Sequence, residues 1–167
     1  MKLALLKYKT NRLLKKVKAP HSSVPYEKAR TIGIVFTAED KQKHFAIKEF
    51  IKRLETAGKH VQVLEFLPEN TENFEFKFDF FTDKDVFWGT IISPSAIQFA
   101  EAPLDYLFCL DVEPNPYILN LLARSPAKCR VGRYWEEGKL YLDFMIESVN
   151  TTSGLLESIH KYITQIR

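Results

Sequence analysis

The apolar positions of this chain alternate between two spacings. Thr31–Thr37 (TIGIVFT) is an unbroken β-branched and apolar run, the pattern of a strand buried on both faces. Over 39–57 the period lengthens, and Phe45, Ile47, Phe50, Ile51 and Leu54 predict the buried face of a helix that Gly58 ends. From Lys59 to Leu67 the pattern returns to a strand, with Val61, Val63 and Glu65 alternating against Gln62, Leu64 and Phe66. A strand, helix and strand of these lengths make a right-handed βαβ unit.

The second half repeats the alternation. Gly89–Ile92 reads as short and extended, and Ser93-Pro94 opens a brief helix as N-cap and first helical residue. Leu104–Leu110 is a buried strand ending at Asp111. Pro114-Asn115-Pro116 starts a helix to about Ser125 that buries Ile118, Leu119, Leu121 and Leu122. Lys128–Tyr134 and Lys139–Ile146 are strands around the turn Glu136-Glu137-Gly138, and 151–166 is a helix carrying Leu155, Leu156, Ile159, Tyr162, Ile163 and Ile166. The pattern therefore predicts the α/β class: a three-layer, Rossmann-like sandwich with a short, mainly parallel sheet and helices on both faces. The pair 128–134 and 139–146 is expected as an antiparallel edge hairpin, because so short a turn cannot make a parallel crossover.

Two segments stand outside this frame. In residues 68–89, Phe74, Phe76, Phe78 and Phe80 alternate with Glu75, Lys77 and Asp79. That is a period-2 strand, read as an edge strand or an excursion packed over the domain, and as one possible edge for a protein partner or self-association. Residues 2–18 read as a basic amphipathic helix, with Leu3, Leu6, Leu13 and Val17 on one face, Thr10 between them and lysines elsewhere. Pro20 ends it. The chain thus divides into an N-terminal helix (1–18), a Pro/Ser linker (19–30) and an α/β domain (31–167).

Charge sharpens this division. The chain carries +3 overall, yet its first 30 residues hold nine Lys and Arg against one acid, Glu27. A basic arm precedes a mildly acidic domain. Such a helix docks on its own domain, on a second copy or protein partner, or on an anionic membrane or nucleic acid through Lys7, Arg12, Lys15 and Lys16. Lys7, Lys9 and Arg12 interrupt the apolar start Leu3–Leu6, too early for a signal peptide, and no run approaches a membrane span, so the chain is expected in the cytoplasm.

Candidate chemistry is sparse. Cys109 and Cys129 form no CxxC and are expected as buried, reduced thiols. No G-x-G-x-x-G follows the first strand, and no P-loop, G-x-S-x-G, H-E-x-x-H or EF-hand pattern occurs. The sequence accordingly assigns no catalytic residue, metal or cofactor. His44 and His160, beside lysines on helices, are expected to be solvated. In open α/β sheets ligands lie beyond the C-terminal ends of the strands. There the chain places Thr37, Glu39 and Asp40, then Ser93 and Ser95, then Asp111, Glu113 and Asn115. Of these, Thr37, Asp40, Ser93, Ser95, Asp111 and Asn115 are the ligand-binding candidates; helix capping is the alternative use of the same side chains.

The strand Asp105–Asp111, the helix end Leu122-Ala123-Arg124 and the strand Arg130-Val131-Gly132 resemble part of the N-terminal half of heptosyltransferase-like glycosyltransferases. The whole chain looks like a family of short bacterial proteins of unknown function, a likeness that brings no activity with it. The glycosyltransferase likeness implies the fold and a sugar-nucleotide-binding enzyme. Here, however, Thr37-Ala38-Glu39-Asp40 stands where those enzymes carry a Gly-Asp loop. The expectation is a non-enzymatic binding or interaction module, with the small sugar-nucleotide enzyme as the alternative.

Overall fold

The computed structural model describes residues 2–16, 24–73, 77–147 and 149–166. Its main sheet has six strands: β1 (Thr31–Thr37), β2 (His60–Phe66), β3 (Phe80–Phe81), β6 (Tyr106–Cys109), β7 (Cys129–Arg133) and β8 (Phe144–Ile146). They lie in the order β3-β2-β1-β6-β7-β8, and each neighbouring pair is parallel. Between β3 and β6 the chain forms a separate antiparallel hairpin of β4 (Val86–Phe87) and β5 (Thr90–Ile91). This is the doubly wound order, in which connectivity reverses between β1 and β6.

The helices are α1 (Lys2–Leu14), α2 (Lys41–Thr56), α3 (Pro94–Glu101), α4 (Pro116–Arg124) and α5 (Thr152–Ile163). Alternation along the central strands sorts their side chains to two faces. Ile32, Ile34, Phe36, Tyr106, Phe108 and Val131 face α2 and α5, where Ile47, Phe50, Leu155 and Ile159 complete one core. Val35, Leu64, Phe66, Leu107 and Cys109 face the other way, toward Phe99, Ile118, Leu121 and Leu122 of α3 and α4. Position 33 lies on that second face and is glycine, since a Cβ there would stand 2.4 Å from Leu104 Cδ1.

Helix α1 docks on its own domain. Leu6 is fully buried in the α3/α4 core, with Leu13 and Leu14 packed beside it. The buried Asn120 amide of α4 donates to Thr10 Oγ1 at 2.9 Å, and that hydroxyl donates to Leu6 O at 2.9 Å. The helix stops at Leu14, and Val17 with the start of the linker lies outside the described residues.

Several expectations are corrected. The 128–134 and 139–146 strands are parallel, not an antiparallel hairpin. Both are shorter than their apolar runs, which leaves residues 134–143 to connect them. That stretch folds into a 3-10 helix (Glu136–Leu140) and carries Trp135, Tyr141 and Leu142 over the α4 face as a small crossover. The phenylalanine ladder is not a four-Phe strand in its described part. Phe74 and Phe76 lie outside the described residues, Lys77 has φ +44°, and only Phe80–Phe81 pair as an edge strand. Phe78 instead turns inward onto Phe36 and His44. Phe45 is 58% exposed, since α2 presents His44 and Ile47 to the sheet.

Truncating Leu6 to Ala should cost about 2–5 kcal/mol if α1 is an integral layer of this core. Urea unfolding of the full chain measures this, and an unchanged midpoint would mean that α1 undocks independently.

Candidate functional site

The reversal between β1 and β6 puts the C-terminal ends of two central strands side by side, and the sequence ends both in polar residues. Asp111 follows β6 and is buried. Its Oδ1 accepts the Thr37 N–H at 2.7 Å and Lys43 Nζ at 3.0 Å, while Oδ2 accepts the Thr37 hydroxyl at 2.6 Å. The Asn115 amide donates to Thr37 Oγ1 at 2.9 Å, and Asn115 Oδ1 caps α4 by accepting the N–H groups of Tyr117 and Ile118. Lys43, one turn into α2, is almost fully buried. It also reaches the exposed Glu39 at 3.1 Å. Three of the expected ligand residues, Thr37, Asp111 and Asn115, are thus brought together, bonded to one another and to Lys43.

The other three are engaged as caps or lie apart. Asp40 is the N-cap of α2, accepting from Lys43 N–H at 2.8 Å. Ser93 caps α3 through the Ala96 N–H at 3.3 Å. Ser95 lines a different depression with Asn73, Phe78 and Phe80. Outside the Asp111 group is a polar cleft of about 400 Å³ between the first turns of α2 and α5, bordered by Gln42, Val112, Asn150 and Ser153. Arg133 fastens its far wall, donating to Val149 O, Val112 O and Asn150 Oδ1 at 2.6, 3.3 and 3.2 Å.

Beneath this rim is a pair that sequence reasoning missed. His44 is fully buried rather than solvated, because its position on α2 points at the sheet and not along the lysine-bearing face. Its Nδ1 lies 3.1 Å from the Asp40 carbonyl, which can only accept, so Nδ1 carries a proton. Its Nε2 lies 2.7 Å from Oε2 of Glu65, itself fully buried on β2. Glu65 Oε1 has no hydrogen-bond partner among the described residues. Burial raises the Glu65 pKa, with His44 and Lys43 pulling the other way. The ring of Phe78 stacks over His44 and closes the site from above. His160 is half-buried on α5.

A second candidate surface lies on the opposite side of the sheet. Arg12 of α1, Lys16 just past its end and Arg124 of α4 border a cavity of about 390 Å³ above Ile91 and Asn120, together with Lys9. Lys7 borders a smaller depression beside Asn11, Leu119 and Tyr141, and Lys15 is exposed. Lys9 and Arg124 were not among the expected contact residues; their signal was their helical spacing and proximity to the 86–91 hairpin, which only the fold supplies.

The thiols offer little chemistry. Burial, with the Asp111 charge behind it, pushes the Cys109 pKa up, and burial pushes Cys129 up to about 12. Both are free. Among the described residues no group of three or more His, Cys, Asp or Glu side chains is arranged to hold a metal ion, and no helix is long and apolar enough to cross a membrane.

Two predictions follow from the rim. Asp111→Ala strands the Lys43 ammonium in a buried position and should cost about 3–5 kcal/mol, more than Lys43→Met, which leaves Asp111 its Thr37 donors. Urea midpoints of the two variants check this order. Glu65, with its folded pKa raised, favours folding below its unfolded value near 4.5, and that contribution fades as pH climbs through the folded value. Glu65→Gln should therefore flatten the decline of stability over that pH interval. A profile that superimposes on the parent's would assign the proton elsewhere.

Comparison with known proteins places the chain without assigning it chemistry. No curated protein and no solved structure matches it, so the resemblance to heptosyltransferase-like enzymes gains no support from a named relative. A protein-family profile does match, over residues 2–166, which takes in α1 as well as the sheet. The chain belongs to that family, a family of unknown function designated DUF6913.

Proposed function

We propose that this chain is a non-enzymatic, cytoplasmic binding module that meets its partner through the face built on α1. The observation that carries this reading is the state of the strand rim. A reacting site needs a nucleophile, base or acid free to exchange a proton with substrate. At this rim the Asp111 carboxylate accepts three hydrogen bonds from Thr37 and Lys43, Asp40, Ser93 and Asn115 cap helices, and Lys43 is locked between two carboxylates. Opening the rim to a ligand would expose a buried ion pair.

The α1 face differs in kind. Its apolar side is used against α4, while Lys9, Arg12 and Lys16 rim an open cavity beside exposed aromatic rings at the tip of the hairpin. Polar and aromatic groups left at a surface, outside the needs of packing, are where a contact is made.

A second reading, a small sugar-nucleotide-binding or glycosyltransferase-like enzyme, is favoured by one observation. The polar cleft between the starts of α2 and α5 lies at the switch point of a doubly wound sheet, where nucleotide ligands commonly bind.

Thermal unfolding against nucleotides, sugar nucleotides and divalent cations separates the two. A ligand at 100 times its dissociation constant stabilises by about 2.7 kcal/mol. For a chain of this length that is roughly 5–10 °C. The module reading expects a flat panel. A shift of that size with one sugar nucleotide, abolished in Asp111→Asn measured against its own ligand-free midpoint, would establish the enzyme instead.

A further inference from the structure

The hairpin between β4 and β5 turns on two residues, Trp88 (φ +51°) and Gly89 (φ +72°). Two left-handed residues give the turn whose twist matches a tight hairpin, and Asn-Gly is its usual sequence. Gly89 is required on a second ground: a Cβ there would stand 2.6 Å from Leu5 Cγ and 2.8 Å from the Leu5 backbone. Trp88 has no such reason. A bulky side chain is disfavoured in this backbone region, and the ring recovers little by packing, being 71% exposed. Phe87 beside it is 62% exposed, and the two rings meet edge to face at 6.0 Å. Folding does not account for this pair; strain kept at an exposed site points to use.

The tip is held, and held by the basic helix. Lys9 Nζ donates to Trp88 O at 2.7 Å and to Thr90 Oγ1 at 2.8 Å, and Lys2 Nζ donates to Asp83 O at 3.0 Å. At about 100° per residue, Lys2, Lys9 and Arg12 fall within roughly 80° of the circumference of α1, on the flank that faces the hairpin, and Lys16 follows in the turn just past the end of the helix. Tyr8, also exposed, stands one turn before Arg12. Arg124 adds a cation from α4. Of the bordering carboxylates, Glu101 lies 4.0 Å from Arg124, Asp85 is turned back onto Thr82, and Asp83 belongs to the turn whose carbonyl Lys2 bonds. Residues 2–16 hold six basic residues and no acid in a chain of net +3, a local positive charge that a negative plane attracts.

From this juxtaposition we propose that the face formed by the basic flank of α1 and the β4–β5 tip docks on an anionic lipid surface, with Phe87 and Trp88 entering the headgroup layer and Arg12, Lys16 and Arg124 meeting lipid phosphates. The proposal rests on the binding-module reading and names its partner. Aromatic side chains favour the membrane–water interface, and clustered Lys and Arg are drawn to anionic leaflets. A single-stranded nucleic acid also calls for aromatics among cations, but it stacks its bases on open ring faces. Here the two rings belong to adjacent residues of one turn and meet edge to face. The apolar side of α1 is committed to α4, so the helix does not embed lengthwise, and contact falls to the tip and the cations.

The test is flotation of the full chain with phosphatidylcholine vesicles, with and without a third of phosphatidylglycerol, at low and high salt. Binding is expected only to the anionic vesicles, weakened by salt and accompanied by a blue shift in tryptophan emission. Arg12→Gln/Lys16→Gln should weaken partitioning roughly 25-fold, at about fivefold per cation. Trp88→Asn should abolish the blue shift and weaken binding roughly tenfold. The same variant should raise the thermal midpoint by about 2–8 °C through relief of the turn, a combination that a merely structural tryptophan does not give. Trp135 is present throughout, so the difference spectrum reports Trp88. Absence of flotation, equal binding to neutral vesicles, or binding of a single-stranded oligonucleotide in place of vesicles overturns the proposal. Those outcomes leave the module reading standing, because it falls only to a ligand shift at the strand rim that depends on Asp111.

Discussion

Two aspartates in one short strand region clasp the centre of the sheet. Asp111, past the C-terminal end of β6, takes the backbone N–H and hydroxyl of Thr37, and Asp105, just before β6, takes the N–H groups of Arg30 at 2.7 Å and Thr31 at 3.2 Å. The strands β1 and β6 are where the connectivity reverses, so no crossover joins them directly and their register depends on contacts across the seam. Burial alone would raise the Asp105 pKa, but the two backbone donors and Lys128 outweigh it and hold the carboxyl below its usual range. Lys43 ties α2 to Asp111 directly, and Asn115 ties α4 to it through the Thr37 hydroxyl. Most of the three-layer arrangement is therefore indexed to one pair of carboxylates.

This has a functional side. In many doubly wound folds the seam opens into a ligand crevice because its polar groups are left free. Here the same residue types stand in the same places and close on one another. A buried ion pair such as Lys43–Asp111 contributes little net stability over an apolar filling, yet breaking it is costly. The His44–Glu65 pair below extends that polar column into the sheet, held under Phe78.

Long, strongly patterned elements were legible from sequence, and short ones depended on context. β1, β2, α4 and α5 follow directly from runs such as TIGIVFT and from the spacing of Leu155, Ile159 and Ile163. The Ser93 cap was legible too, while Asp40 and Asn115, offered as ligand-binding candidates with capping as the alternative, are caps. What failed did so where one pattern served two structures. Alternating phenylalanines fit a strand, but Phe78 found a better site against Phe36 and His44. The 128–146 region looked like a hairpin because strand length was overestimated at both inner ends. At the site, Thr37, Asp111 and Asn115 were found from the position of strand ends. Lys43 and Glu65 were not, since a charge in an amphipathic pattern reads as solvated until the fold supplies its partner.

The sheet ends abruptly on both sides, in the two residues of β3 and the three of β8. An exposed edge strand recruits other chains by offering a row of unpaired amides and carbonyls, and the longer the row, the stronger the template. Rows this brief, set against a buried seven-residue centre, give an incoming strand too little to hold. Among the described residues, the margins of the sheet thus offer an incoming strand a far shorter template than its centre would.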